Sequence, residues 1–406
     1  MAPPALDREI VVSVARAALG RPTADVGAWH IEPVTGGGTQ TALWRVSGTA
    51  QVDGTHERQL PWSVVLKCKS HDDARAGAVP EVEAYRSGLL DRIGEEGFGL
   101  AAPRCYRIEP DPPPAPGYDP QTWLWLEDIG ETPRRPWAAE RYGLAAYHLG
   151  FFNGSLPKPG TRGLPKPVFD VPPYPWLGEG FLGYWLEMME DEWDLGSIIH
   201  AQTPEIETAW QHPLVRDEFP PDLRERLLDA WRERRTLHDA LGRLPRTLAH
   251  GDAHRRNLIS QRMPDGGDRT VGVDWAIIGY APLGEDPGHL LTSSLLLEAD
   301  PASAADLDRT IFHRYLEGLR DAGWRLDRRT RDTVRFGYTA HGVLNMGLFA
   351  GPAPAAGLGH GWIRRWYETL IHQPFEALIP RLAEITRFTL SLGDEARTLG
   401  RKLALL

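Results

Sequence analysis

The sequence predicts an α+β protein with two lobes, a small β-rich N-lobe and a larger, mainly helical C-lobe. Three observations predict it. The 406-residue length exceeds one ordinary core. Strand-like runs crowd the first 130 residues, and helical periodicity dominates the rest. The division expected is 1–130 and 131–406. At 42% hydrophobic and 25% charged residues, the composition is that of a soluble globular chain.

The elements follow in order. MAPPALDREIVVSVARAALG has apolar residues at helical spacing and no charged n-region before an apolar run, so it reads as a helix rather than a signal peptide. HIEPVTGGGTQTALWRVSGTAQVDGTHERQLPWSVVLKCKS holds two or three strands, and PEVEAYRSGLLDRI (80–93) a helix with proline in its first turn. PRCYRIE and TWLWLEDIG read as strands around the proline-rich loop PDPPPAPGYDP. Helices are expected over 136–153, 176–199, 220–242, 286–298, 303–322, 328–349 and 361–391. Between them, TLAHGD, NLISQR and TVGVDWAIIG are short β-compatible pieces.

The formal net charge of −10 argues against nucleic-acid or anionic-membrane partners, which call for a basic face. No apolar run reaches the roughly 20 residues of a membrane span. Two cysteines, Cys68 and Cys105, make neither a disulfide framework nor a zinc site. The expectation is a cytoplasmic enzyme, monomeric or homodimeric. Only five of the 45 basic residues are lysines, so Lys67, inside the apolar strand WSVVLKCK, stands out.

LAHGDAHRRNLI (248–259) carries the densest chemistry, and three readings compete for it. A metal-dependent hydrolase would use His250, Asp252 and His254 as ligands, though such enzymes usually add further His or Asp clusters downstream. A capped polar turn is the plainest reading. In the third, Asp252 is the base that orients an attacking hydroxyl and Asn257 helps hold Mg²⁺, the pair that phosphoryl transfer from ATP requires. That reading demands a second acidic metal ligand on a neighbouring short strand. Asp274 fits, and a hairpin would carry it beside Asn257. Arg255 and Arg256 read as surface residues.

LAHGDAHRRNLIS…VGVDWAIIG resembles the core of the aminoglycoside phosphotransferase/choline kinase-like family, relatives of protein kinases. The resemblance implies a protein-kinase-like fold and an ATP- and Mg²⁺-dependent kinase acting on a small hydroxyl-bearing acceptor. The acceptor classes it implies are amino sugars and antibiotics, other sugars and amino alcohols. It assigns Asp252 as base, His250 to shaping the loop, and Asn257 and Asp274 to Mg²⁺. Asp286 in PLGEDPGHLL matches the acidic residue that braces this loop, which an N-cap role would also explain. A nucleotide-binding pseudokinase is a further alternative, against which the complete Lys67, Asp252, Asn257 and Asp274 set argues.

The N-lobe supplies the remaining parts such a kinase needs. Gly36, Gly37, Gly38 and Thr39 in VTGGGTQT form a turn suited to phosphates. The resemblance implies Lys67 as the phosphate lysine. Lys69 shares its face and rivals it, and an edge-strand solubility role would also explain a lysine here. The resemblance implies Glu81, one helical turn before Tyr85, as its partner, while Glu83 lies about 200° around the helix. Adenine is expected at the backbone around Glu127 and Ile129.

Acceptor determinants are less legible. GEGFLGYWLEMMEDEWDL (178–195) sets carboxylates beside aromatics, which suits an amine or simply a solvated helix face. His341 and Asn345, one turn apart on an apolar helix, suit a satisfied buried pair or a substrate contact.

Overall fold

The computed structural model describes residues 3–34, 42–51, 59–71, 79–110, 121–130, 137–160, 164–180, 182–264 and 266–406. Within it the chain divides into two compact units. The first comprises residues 1–133, 173–177 and 259–276; the second comprises 134–172, 178–258 and 277–406.

The first unit is built on strands β1 (Asp25–Pro33), β2 (Ala42–Gln51), β3 (Gln59–Ser70), β5 (Cys105–Pro110) and β6 (Gln121–Glu127), with the two-residue strand β4 (Leu100–Ala101) between β3 and β5 in the chain. The sheet order is β1-β2-β3-β6-β5, and every neighbouring pair is antiparallel. The Arg8–Leu19 helix, capped by Asp7 and ended by Gly20, lays Val11, Val14 and Ala15 on the sheet. Trp44, Trp62, Val64, Leu66 and Trp125 complete that core.

Lys67 lies in β3, between Leu43 of β2 and Leu124 of β6. A central strand rules out the edge-strand role, because both flanks are hydrogen-bonded. The helix expected over 80–93 is two helices, Pro80–Arg86 and Leu89–Glu95. Gly88 takes φ +71°, a left-handed conformation that breaks the first helix before the second begins.

A second sheet of order β4-β9-β8 contains β8 (Leu258–Arg262) and β9 (Asp268–Gly272). The two strands are neighbours, and the Met263 N–H bonds the Gly267 carbonyl, so the hairpin expected between NLISQR and TVGVDW is present. β9 stops before Asp274, whose φ of +62° takes the chain out of the strand. TVGVDWAIIG is therefore a strand, a turn and the approach to β10 (Gly279–Pro282) rather than one run.

The second unit is mainly helical. A short ladder of β7 (Arg246–Ala249) with β10 lies among the helices Ala139–Ser155, Pro221–Leu241, Glu285–Leu297, Ala304–Asp321, Arg328–Gly342 and Phe375–Lys402. Gly150 lets two of these helices cross closely: a Cβ there would meet the Tyr315 carbonyl at 2.2 Å.

Three helical expectations are corrected here, and two helices were missed. Residues 176–199 break into Leu182–Glu187, a π-turn at Met188–Glu192 and Leu195–Ile199, because Asp194 adopts φ +47° and caps the last piece. Residues 361–391 split at His372 (φ +59°), just before Pro374, into Gly361–Ile371 and Phe375–Lys402. The 328–349 helix passes through a π-turn at Val343–Gly347. Helices Pro204–Gln211, capped by Thr203, and Pro213–Glu218 were not anticipated at all. Among the described residues no helix is long and apolar enough to cross a membrane.

Candidate active site

The residues singled out in the sequence fall into two groups, one in each unit. In the first unit Lys67, only 4% exposed, points its ammonium at two carboxylates. Nζ lies 2.8 Å from Glu81 Oε1 and 2.7 Å from Asp274 Oδ1. Burial pushes the Lys67 pKa down, but attraction by Asp274 and Glu81 outweighs it and holds the group charged, above its ordinary value. Glu81 is fully buried and also accepts from the Trp275 backbone N–H at 3.3 Å. Glu83 is paired with Arg86 on the more open face of that helix. Lys69 is buried too, but its Nζ stands 3.8 Å from Glu81, so the tighter ion pair is Lys67's.

Proline at the first position of the 80–86 helix fixes where that helix begins, which sets Glu81 in its first turn. The left-handed backbone at Asp274 is unusual for a residue other than glycine, though Asp tolerates it better than most. Glu127 ends β6, with its N–H bonded to the Arg104 carbonyl at 2.8 Å, and Ile129 follows two residues later. Gly36, Gly37, Gly38 and Thr39 lie outside the described residues.

The second unit holds the 250–257 loop between β7 and β8. Gly251, at φ +83°, makes its turn; a Cβ there would sit 2.6 Å from the Ile277 carbonyl, so no other residue fits. Asp286 pins the turn from the first turn of the 285–297 helix. Its carboxylate accepts from the backbone N–H groups of His250 at 3.0 Å and Gly251 at 2.9 Å, and from Asn153 Nδ2 at 3.0 Å. Asn153 in turn donates to the Leu248 carbonyl and accepts from the Tyr315 hydroxyl. The bracing expected of Asp286 is thus visible as bonds. Its supports, Asn153 and Tyr315, were missed, since FFNGS and HRYLE carry no local signal.

Within the loop, His250 is fully buried and its Nδ1 accepts from the Asp252 N–H at 3.3 Å. His250 therefore shapes the turn. Asp252 keeps 30% of its side chain exposed. Its Oδ2 accepts from Asn257 Nδ2 at 2.8 Å, and its Oδ1 lies 2.9 Å from His289 Nε2. Burial alone would raise the Asp252 pKa, yet His254 and His289 outweigh it and hold the carboxyl below the usual range. Asp252 is accordingly a carboxylate at neutral pH, able to accept a hydrogen bond from a hydroxyl.

Arg255 corrects a sequence expectation. It is fully buried, stacked 3.8 Å over Trp137 and bonded to the Leu258 carbonyl at 3.2 Å. Arg256 bonds the Leu370 carbonyl at 2.9 Å. Both arginines tie the loop to its surroundings rather than face solvent. In the 178–195 segment, Glu190 is used by Arg234 and Arg235, while Glu187, Asp191, Glu192 and Asp194 are exposed. A solvated helix face accounts for them.

Metal chemistry through the histidines finds no geometric support: among the described residues no group of three or more His, Cys, Asp or Glu is placed to hold a metal ion. Oxygen donors fare better. Asn257 uses its amide nitrogen on Asp252, which leaves Oδ1 as its remaining donor atom. Asp274, in the first unit, carries carboxylate oxygens of its own. Hard oxygen donors of this kind suit Mg²⁺.

Two predictions arise here. Asp286→Asn replaces an acceptor of backbone N–H bonds by an amide that cannot satisfy all three donors, so urea unfolding of the variant should show a loss of roughly 2–4 kcal/mol. Glu285 is 2% exposed, and burial and Asp286 raise its pKa to about 8 although Arg246 opposes them. Between its ordinary value of 4.5 and 8 the folded chain holds a proton that the unfolded chain releases, so this residue's stabilisation is complete at low pH and lost as pH rises through 8. Glu285→Gln removes the dependence: its melting temperature should exceed that of the wild type at pH 8 and approach it at pH 5.

Comparisons with known proteins agree with this architecture. Residues 199–325 match the APH model, described as the phosphotransferase enzyme family. No curated protein sequence matches the chain. A solved aminoglycoside phosphotransferase from Alicyclobacillus acidocaldarius is 14% identical, with a TM-score of 0.52 over 100% of this chain and 98% of that one. An amicoumacin kinase complexed with AMP-PNP and Ca²⁺ is also 14% identical, at TM-score 0.49, over 91% of this chain and 95% of that one. A spectinomycin phosphotransferase complexed with ADP and spectinomycin is 11% identical, at TM-score 0.48, over 95% and 99%. The resemblance first read from LAHGDAHRRNLIS and VGVDWAIIG is borne out: the segment 199–325, which carries both, matches the model of the phosphotransferase enzyme family, and the fold is similar to that of the solved aminoglycoside phosphotransferase.

Proposed function

We propose that this chain is an ATP- and Mg²⁺-dependent small-molecule kinase that moves the γ-phosphate onto a hydroxyl of an amino sugar, another sugar or an amino alcohol. The observation that carries the reading is the Asp252 loop. It presents a partly exposed carboxylate, fixed by Asn257 and His289, on a turn clamped by Asp286. We assign nucleotide binding to residues 1–130 and the acceptor to 131–406.

Asp252 accepts the hydrogen bond of the acceptor hydroxyl, turning an oxygen lone pair toward phosphorus, and receives the proton as the new P–O bond forms and ADP departs. Lys67, held charged by Glu81 and Asp274, supplies a cation for phosphate oxygens. Gly36, Gly37, Gly38 and Thr39 would offer backbone N–H groups to the same oxygens, and the backbone at Glu127 and Ile129 would receive adenine. Asn257 and Asp274 would each give an oxygen to Mg²⁺, which when bound neutralises charge on the phosphates. His250 contributes by holding the loop.

The family match supports phosphoryl transfer, and the Lys67–Glu81–Asp274 cluster supports nucleotide turnover over a pseudokinase role. An aromatic recess lined by Trp193, Phe349, Trp362 and Trp366 has a volume near 30 Å³. The test is ATP consumption and product mass over a panel of aminoglycosides, hexoses, glucosamine, ethanolamine and choline. One acceptor gaining a single phosphate is the expected result. No turnover on any of them, together with no Mg-ATP binding, would overturn the reading.

A further inference from the structure

We propose that His289 is a positioning residue for Asp252, with its own orientation set by an amide it shares with His341; this rests on the kinase reading above. His289 lies on the 285–297 helix and is 4% exposed. Its Nε2 is 2.9 Å from Asp252 Oδ1 and 3.2 Å from Ser293 Oγ. On its other side, Nδ1 is 2.7 Å from Asn345 Nδ2 and 3.3 Å from His341 Nε2. The same Asn345 nitrogen lies 3.1 Å from His341 Nε2. Asn345 and His341 are each 1% exposed, and Asn345 sits in the π-turn that interrupts the 328–350 helical stretch. π-turns inside helices recur at functional sites.

The amide decides the protons. An amide NH₂ has two hydrogens and no acceptor capacity, so both ring nitrogens it faces must be bare. His289 then carries its proton on Nε2, aimed at the Asp252 carboxylate, and His341 carries its own on Nδ1, 3.8 Å from Glu285 Oε2. Turning the amide over would set its oxygen against two ring nitrogens. It would also require a proton on His289 Nδ1, so that Nε2 would meet the carboxylate as a repelling lone pair or as the second N–H of an imidazolium, which the tautomer measurement below distinguishes. Burial holds His341 in its neutral form. One Asp252 oxygen is thus fixed by His289 and the other by Asn257. Rotation about χ2 of Asp252 would break both bonds, so the carboxylate stays in one plane for the hydroxyl it receives.

The experiment compares full-length wild type with His289→Leu, His289→Gln and Asn345→Leu, using Mg-ATP and the acceptor panel named above. The glutamine side-chain N–H reaches about where Nε2–H lies. His289→Leu should lose roughly 10–100-fold in kcat with KM for ATP unchanged, the scale known for partners that orient a reacting group. His289→Gln should recover most of that loss. Nitrogen-15 NMR of the histidine rings, needing no turnover, should report His289 as the Nε2–H tautomer, and that signal should be lost in Asn345→Leu. Full activity in His289→Leu, or a folded His289→Gln no better than leucine, would overturn the proposal. So would an Nδ1–H or doubly protonated His289. An inactive wild type counts against the kinase reading and this role together, whereas an active wild type with the wrong tautomer sinks the positioning role alone.

Discussion

Asp252→Asn should lower kcat by about 10³-fold or more, with the fold retained and KM for ATP little changed. General-base contributions are typically 10²–10⁴-fold, and this substitution removes both the basicity and the geometry that supports it. Wild-type Asp252 offers only acceptor atoms, one to His289 Nε2 and one to Asn257 Nδ2. Asparagine has one acceptor oxygen, so its NH₂ must face one of those two donors. The local cost is on the order of 1–3 kcal/mol, an unmade bond to a part-buried group. Initial rates with the acceptor identified in the panel, together with thermal melting, separate the two effects. A folded variant that keeps a tenth of wild-type turnover would remove Asp252 from the role of base.

What could be read from the sequence was what is local. Asp252, Asn257 and His250 lie within eight residues, and their mutual bonds close inside that loop. The alternation of β3 and the proline-started helix after it place Lys67 and Glu81 as read. The parts that escaped depend on helices meeting across long separations. His289 is 37 residues from Asp252, and Asn153 is 133 residues from Asp286. Neither contact leaves a trace in its own neighbourhood. His341 and Asn345 were legible as a pair because they lie one helical turn apart, but their shared partner was not. Arg255 failed for a related reason: a run of two arginines reads as solvated, whereas Trp137 and Glu298, both distant in the chain, accompany the burial of the first. Helix breaks at Gly88, Asp194 and His372 were missed because apolar periodicity runs through them while one residue takes a left-handed backbone.

Lys67→Met should cost both stability and turnover, and the two losses should separate in a double variant. Removing the ammonium leaves Glu81 fully buried without its 2.8 Å partner; Lys69, at 3.8 Å, and the Trp275 N–H remain. Breaking a buried pair by deleting one partner typically costs 3–5 kcal/mol. Lys69 offsets part of this, so about 3 kcal/mol is expected by urea unfolding. Turnover should fall about 10²–10³-fold, the effect of losing one preorganised group that stabilises developing charge. Adding Glu81→Gln removes the stranded charge while keeping an oxygen for the Trp275 N–H. The Lys67→Met/Glu81→Gln variant should therefore regain most of the lost stability and none of the lost turnover. Recovery of both would mean that the ion pair serves folding alone, and that Lys67 is not the cation that meets the phosphates.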